Sequence, residues 1–304
     1  MQDPKVSIIS VFYNREDTVE KSVRSLIEQT YKNLEIILID DNSTDSTLSQ
    51  LKKFCANDSR VKIIHNEQNK GFTASLIDTI QHLDGKYVAI HGSGDLSLPE
   101  RVSTQVNFLE KNPDVGVVTV GVTNRPVNNV FNEAHEITLK HLFSRNMLNH
   151  GAVMYSREKY HEAGGYNPFF KTRQDKDLWY RMALVTKIYF LPEKLYTWIK
   201  QEDSVSNNSF KNPQPSLLSE YAKFLAEMRL KNKNVINLDD ERTTTLLFNP
   251  KRCSKLFYKE LFYNLGKKRY ENALRNIELI LIIEDRWMRR RGLILAKALL
   301  NKWI

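Results

Sequence analysis

The sequence predicts an α/β fold, a Rossmann-like, doubly wound and mostly parallel sheet, followed by a mainly helical C-terminal extension. Three observations carry this. Short apolar runs alternate with longer stretches of helical periodicity through the first half of the chain. The composition, 41% apolar and 27% charged over 304 residues with 11 Gly and 9 Pro, is that of a globular chain and excludes collagen-like and low-complexity classes. Charge is placed unevenly: residues 1–250 hold 31 Lys and Arg against 31 Asp and Glu, whereas residues 251–304 hold 14 against 5. A neutral body excludes a nucleic-acid-binding surface across it, so the net charge of +9 marks the tail as a separate region with its own electrostatic role.

The elements follow in order. Val6 to Phe12 is a β-rich run broken only by serines. After Asn14, a candidate cap, Glu16 to Gln29 sets Val19, Val23 and Leu26 on one helical face. Leu34 to Ile39 has the unbroken apolar character of a buried strand. Asp45 to Phe54 is expected to be helical, Val61 to Ile64 and Lys86 to Ile90 to be strands, and Pro99 to Leu109 a helix opened by proline near its first turn. Beyond the apolar run Val115 to Val120 the regularity weakens, leaving a helix over Thr138 to Ser144, an apolar run from Ala152 to Tyr155 and a helical stretch from Gln174 to Leu184. Asp203 to Ser216, polar and carrying two prolines, is the linker candidate. The chain thus divides into a domain of residues 1–210 and a basic, mainly helical extension of residues 211–304.

Cys55 and Cys253 are too far apart in sequence to suggest a disulfide framework or a Cys-based zinc site, which fits a reducing, cytoplasmic setting. The first residues show no basic segment or cleavage site of a secretory leader, and no run of about 18 apolar residues predicts a spanning helix.

Ligands of doubly wound sheets bind at the carboxyl ends of the strands, here the segments after Phe12, Ile39 and Ile90. The second ends in the acidic pair Asp40 and Asp41, suited to accept hydrogen bonds from a nucleoside, while Asp45 suits a helix cap. The third carries two glycines, Gly92 and Gly94, which allow close backbone approach, and Asp95, a hard oxygen ligand suited to Mg²⁺ or Mn²⁺. A third cluster spans Gln174 to Arg181: Asp177 and Arg181 are four apart and able to pair on a helix, whereas Asp175 points elsewhere and is a candidate general base. The first strand is followed by Tyr13-Asn14-Arg15-Glu16 and not by a glycine-rich phosphate turn, which excludes a dinucleotide-dependent oxidoreductase.

Taken together, Pro4 through Asn14, Ser25 through Ile36, Asp40-Asp41-Asn42-Ser43-Thr44-Asp45, Asn69-Lys70-Gly71, Gly94-Asp95-Leu96-Ser97-Leu98-Pro99-Glu100-Arg101, His150-Gly151-Ala152-Val153-Met154-Tyr155, Gly164-Gly165-Tyr166 and Asp175-Lys176-Asp177-Leu178-Trp179 resemble family 2 glycosyltransferases with the GT-A fold. The resemblance covers about the first 200 residues, in order. It implies an inverting transferase that moves a sugar from a nucleoside-diphosphate sugar, UDP above all, to a hydroxyl of a glycan or lipid-linked acceptor in cell-surface polysaccharide synthesis. It assigns Ser10, Phe12, Asp40 and Asp41 to the base and ribose, Lys70 to the leaving diphosphate, Asp175 to the base role, and His150 and Trp179 to the donor or acceptor pocket. Strand packing accounts equally well for Ser10 and Phe12, and a structural role equally well for His150, whereas packing is the better account of Trp179 and a solvated surface position the better account of Lys70. The family's acidic metal motif often reads Asp-x-Asp-Asp; here those positions are Gly92, Ser93, Gly94 and Asp95, which leaves Asp95 alone to meet Mn²⁺ or Mg²⁺. A non-catalytic relative that binds a nucleotide sugar or polysaccharide is the alternative.

The tail offers a further expectation. Met288, Leu295 and Leu299 share a helical face with Trp303 beside them, Leu293, Leu300 and Ile304 widen it, and Arg290, Lys297 and Asn301 lie opposite. With Arg289 and Arg291 this predicts either peripheral attachment to an anionic membrane surface or a helix packed on protein.

Overall fold

The computed structural model describes residues 3–124, 131–200 and 214–231, with scattered helical positions between 258 and 297. Internal contacts group the chain into two units, Met1–Lys200 and Gln201–Ile304.

The first unit is built on a mixed nine-stranded sheet. Its first half follows from sequence periodicity: β1 (Val6–Phe12), α1 (Val19–Ile27), β2 (Leu34–Asp40), α2 (Thr47–Cys55), β3 (Val61–His65), α3 (Phe72–Ile80) and β4 (Tyr87–Gly92) alternate without a break. The chain continues through β5 (Leu96–Ser97), α4 (Arg101–Lys111), β6 (Val115–Val122), β7 (His135–Glu136), α5 (Leu139–Ser144), a 3₁₀ turn (His150–Ala152), β8 (Val153–Ser156), α6 (Arg157–Glu162), α7 (Gln174–Met182) and β9 (Lys187–Thr197). The strand order is β3-β2-β1-β4-β8-β6-β9-β5, with β7 on β9. The long ladders, β1 with β2 and β4, β2 with β3, and β6 with β9, are parallel, whereas β8, β5 and β7 join by short antiparallel pairings.

β1 and β2 are buried along their whole length, which is why they read as continuous apolar runs. Val19, Val23 and Leu26 of α1 are fully buried with Leu51 and Val106 in the same core. Several boundaries differ from the sequence reading. Asn14 does not cap α1; the helix starts after Thr18, and Asn14 takes a left-handed φ of 49° so that its Oδ1 accepts from Thr44 N–H at 2.9 Å, joining the β1 and β2 loops. Pro99 lies outside the first turn of α4, whose N-cap is Glu100. α3, α6 and the strands β5, β7 and β9 carry no clear sequence signal. β9 contains Pro192, which has no N–H to donate, and the ladder slips between Leu191, opposite Val120, and Lys194, opposite Gly121.

In the second unit, α8 (Gln214–Leu230) starts inside the segment expected to be a linker. It buries Leu218, Tyr221, Ala222, Leu225 and Ala226, the spacing of one helical face. Among the described residues no helix is long and apolar enough to cross a membrane. Of the tail residues read from sequence, only Lys297, opposite the apolar face, lies among the described residues.

Candidate active site

The parallel half of the sheet delivers three chain segments to one edge. Phe12 stands opposite Asp40 in the β1–β2 ladder, and Ser10 opposite His91 in the β1–β4 ladder. Phe12 is a core residue, and Ser10 is fully buried with no partner for its Oγ among the described residues. The two acidic residues at the end of β2 have diverged. Asp41 is committed to the protein: its Oδ1 accepts from Asn66 Nδ2 at 2.8 Å and from the Lys70 N–H at 2.9 Å, and its Oδ2 from the Gly71 N–H at 2.8 Å. It therefore fixes the turn into α3, where Gly71 takes φ 83°, a conformation that disfavours side chains. Asp40 is fully buried; its Oδ2 accepts from the Ser43 N–H at 3.2 Å and lies 2.8 Å from His65 Nδ1, while its Oδ1 meets no donor among the described residues. A buried acceptor without a donor is costly unless a ligand supplies one. Lys70 directs its Nζ outward to Asp78 at 2.7 Å. Asp45 accepts from the Thr47 N–H at 2.9 Å in a turn ahead of α2, whose N-cap position is Ser46 and not Asp45 as expected; burial acts to raise its pKa, and the Thr47 and Glu16 donors outweigh that and lower it.

At the end of β4 the chain turns through Gly94, φ 90°, into a loop held from behind. Ser22 Oγ of α1 accepts from Gly94 N–H at 3.2 Å and lies 3.0 Å from His91 Nε2, which also meets the Asp95 carbonyl at 3.1 Å. Asp95 is buried. Its Oδ2 accepts from the Tyr196 hydroxyl at 2.7 Å and its Oδ1 from the Ile199 N–H at 2.8 Å, so this carboxylate ties the end of β9 to the loop. The Tyr196 hydroxyl in turn accepts from Gly92 N–H at 2.9 Å. Below the ring, 5.1 Å from its centroid, lies the buried Arg101 guanidinium, which donates to Ile90 O at 2.8 Å and to Gln105 Oε1 at 3.1 Å. Burial pushes Arg101 down to about 10, against the opposing charges of Tyr196 and Asp95.

A fourth segment comes from the antiparallel half. Asp175 stands in the first turn of α7, half-buried, with its Oδ2 accepting from Asn146 Nδ2 at 3.0 Å; among the described residues no cation pairs with it. Asp177 is sealed by Arg181, whose Nη2 lies 2.6 Å from its Oδ2, the four-residue pairing expected from sequence. His150 packs edge-on against Phe72, Tyr166 and Trp179, with its Nε2 2.6 Å from the Tyr166 hydroxyl. Burial lowers its pKa, and the nearby Asp175 charge offsets only part of that. Trp179 is fully buried in this aromatic cluster. Because Phe72 follows the Gly71 that Asp41 anchors, and Thr73 Oγ1 donates to Phe170 O at 3.1 Å, the end of β2 is mechanically linked to the approach to α7.

Comparison with known proteins follows this geometry. The description Glycosyl transferase family 2 matches residues 7–179, more than half of the chain. The chain belongs to glycosyltransferase family 2. It is 37% identical over 220 residues to EpsE of Bacillus subtilis (strain 168), a protein named as a glycosyltransferase, covering 68% of this chain and 77% of that one. Over 112 residues it is 34% identical to WfgD of Escherichia coli, a UDP-Glc:alpha-D-GlcNAc-diphosphoundecaprenol beta-1,3-glucosyltransferase, covering 37% of this chain and 44% of that one. Two solved structures share the GT-A fold. S. aureus TarS in complex with UDP-GlcNAc has a TM-score of 0.66 at 17% identity, covering 92% of this chain and 81% of that one. The mannosyltransferase PcManGT from Pyrobaculum calidifontis, in complex with GDP-Man and Mn²⁺, has a TM-score of 0.60 at 16% identity, covering all of this chain and 88% of that one.

The chain is thus a nucleotide-sugar glycosyltransferase, and nothing in the comparisons favours a non-catalytic binder. The donor set for a divalent ion is poor in this glycosyltransferase. Among the described residues no three His, Cys, Asp or Glu side chains converge on one point, and both Asp95 oxygens already accept protein donors. The residues present therefore do not fit an ion held by the protein at this loop. Sequence reading missed Tyr196, Asn66 and Asn146, and gave Tyr166 of the Gly164-Gly165-Tyr166 motif no role. Gly151 carries a trace of Tyr196: a Cβ there would overlap the Tyr196 hydroxyl and come within 3.0 Å of Gly92 N.

Proposed function

We propose that this glycosyltransferase takes a UDP-sugar and transfers the sugar, with inversion, to a hydroxyl of a glycan or lipid-linked acceptor in cell-surface polysaccharide synthesis. Asp175 carries the reading. It is a half-buried carboxylate held by a neutral amide, close enough to His150 and Tyr166 of the buried aromatic cluster for its charge to act on both. An acceptor hydroxyl placed between this carboxylate and the anomeric carbon gives its proton to Asp175 as the new C–O bond forms. The bond from that carbon to the β-phosphate oxygen breaks on the opposite face, and its electron pair leaves with the nucleoside diphosphate. A single in-line displacement inverts the centre and needs no covalent nucleophile. Asp40 Oδ1, buried and without a donor among the described residues, suits a nucleoside N–H or ribose hydroxyl, with Ser10 and Phe12 on the adjoining strand, and Asp41 acts by holding the 66–71 turn.

The choice of UDP rests on what TarS and WfgD bind or use, and the lipid-linked acceptor on the WfgD substrate. Such an acceptor places the enzyme at the cytoplasmic face of a membrane, where the basic tail would meet anionic headgroups. Of the metals, Mn²⁺ accompanies the PcManGT complex; the loop at Asp95 offers it little, and no step above passes through it.

The test is calorimetric titration of the full chain with UDP, GDP and UDP-sugars, followed by transfer assays with diphosphoundecaprenol-linked acceptors and determination of the product's anomeric configuration. UDP binding and an inverted product are expected. A retained configuration, or a preference for GDP, overturns this reading.

A further inference from the structure

The glycines in the loop after β4 have a steric cause. A Cβ at Gly92 would overlap the Asp95 carboxylate and stand 3.2 Å from both the Asp95 Cγ and the Tyr196 hydroxyl. The space that a side chain at position 92 needs is thus filled by Asp95 and Tyr196 themselves. That pair reaches across 101 residues of sequence, and the Ile199 N–H closes the other side of the carboxylate. The Tyr196 hydroxyl is fixed on both sides: it accepts from Gly92 N–H and donates to Asp95. The buried Arg101 guanidinium beneath the ring supplies the balancing positive charge. Behind the loop, Ser22 and His91 hold it with neutral hydrogen bonds. A divalent ion at Asp95 would have to displace Tyr196 or the Ile199 N–H from a nearly dry site, and it would find no second carboxylate at positions 92 to 94.

We propose that Asp95 is a positioning residue that latches the end of β9 over the donor site through Tyr196 and Ile199, and that the enzyme binds its nucleoside diphosphate without a divalent ion at the 92–95 loop. This rests on the nucleotide-sugar reading of the same site. The latch fixes the end of β9 beside the 92–95 loop.

The experiment titrates the full chain with Mn²⁺, alone and with UDP, and follows the free-ion signal by electron paramagnetic resonance. UDP affinity is measured by calorimetry in EDTA and in Mn²⁺. The expected result is no protein-dependent loss of Mn²⁺ signal beyond that caused by UDP, and UDP affinities within about threefold of each other in the two buffers. Tyr196→Phe, which keeps the ring and removes the hydroxyl, is expected to weaken UDP binding in EDTA by about tenfold without creating a response to Mn²⁺. Gly92→Asp, which restores a carboxylate, is expected to lower the melting temperature and gain no Mn²⁺ binding. Protein-bound Mn²⁺ that disappears in Asp95→Asn, or a stable Gly92→Asp chain that binds Mn²⁺, overturns the inference. Absence of UDP binding in every buffer counts against the donor reading, while the Mn²⁺ titration and the Gly92→Asp melt still decide this one.

Discussion

Asp175 and Asp177 stand two residues apart in one helical turn, yet their surroundings assign them opposite work. A rotation of about 100° per residue sends them to different sides of α7. Asp177 faces inward, fully buried, and its Oδ2 takes both Nη2 and Nε of Arg181 at 2.6 and 3.1 Å; Arg181 also donates to Ala163 O. Asp175 lies near His150 and Tyr166, on which its charge acts, and is held by the Asn146 amide alone among the described side chains. A carboxylate bonded to a buried cation cannot take a proton from substrate without breaking its own packing. One held by an amide is positioned and still basic. The same contrast separates Asp40, with a buried oxygen that meets no donor among the described residues, from Asp41, whose two oxygens anchor a turn. What already occupies the oxygens predicts the role better than residue type does.

The largest expected effect falls on the half-buried member of the pair. Asp175→Asn keeps the shape and the Asn146 contact but removes the base, and should lower the transfer rate by ~10² to 10⁴. UDP affinity and the urea midpoint should stay near wild type. Turnover close to that of the unaltered enzyme would take the base role from Asp175 and end the comparison at that position.

Asp177→Ala should do the reverse. It leaves the Arg181 guanidinium nearly buried without its carboxylate, a loss worth ~3–5 kcal/mol in comparable buried pairs. Equilibrium unfolding in urea measures it directly, and UDP affinity of the residual folded protein should be little changed. If Asp175→Ala and Asp177→Ala cost the same stability, the distinction drawn between them fails.

How much of this was legible in the sequence follows the same division between what is local and what is not. β1, β2 and β4 are readable because burial on both faces forces continuous apolar runs, and Val19, Val23 and Leu26 record the core face of α1. Asp40 and Asp41 are visible because an acidic pair at a strand's carboxyl end is a local pattern. β9 is hidden by Pro192 and by the charged Glu193 and Lys194 in its bulge. α3 is hidden because its start at Gly71 has no side-chain cap and Thr73, Ser75 and Thr79 interrupt the apolar pattern of Leu76 and Ile80 on its buried face. Asn14 looked like a cap because asparagine serves both caps and left-handed turns. Nothing near Asp95 in sequence announces Tyr196, so its latch appears only in three dimensions.

The smallest effect tests the claim that the loop after β4 is held by neutral groups. His91 is fully buried between α1 and the Asp95 carbonyl, its ring 5.6 Å from that of Tyr196, and its Nδ1 has no partner among the described residues. Burial, with the Arg101 charge adding to it, pushes its pKa down to about 3 from 6.5, against a small opposing effect of the Asp95 carbonyl. In the unfolded chain the imidazole titrates normally. Between pH 6.5 and 3 the unfolded state therefore binds a proton that the folded state refuses, so stability falls as pH falls through 6.5 and is regained as pH rises. Burial pushes His150 the same way, so the comparison must be made between variants and not between buffers alone. From pH 7 to pH 5 the wild type should lose ~2 kcal/mol more stability than His91→Gln, which keeps a polar side chain at the position but cannot be protonated. Parallel loss in the two proteins would mean that His91 accepts a proton in the folded state, and the neutral hydrogen bonds assigned to this loop would have to be redrawn around an imidazolium.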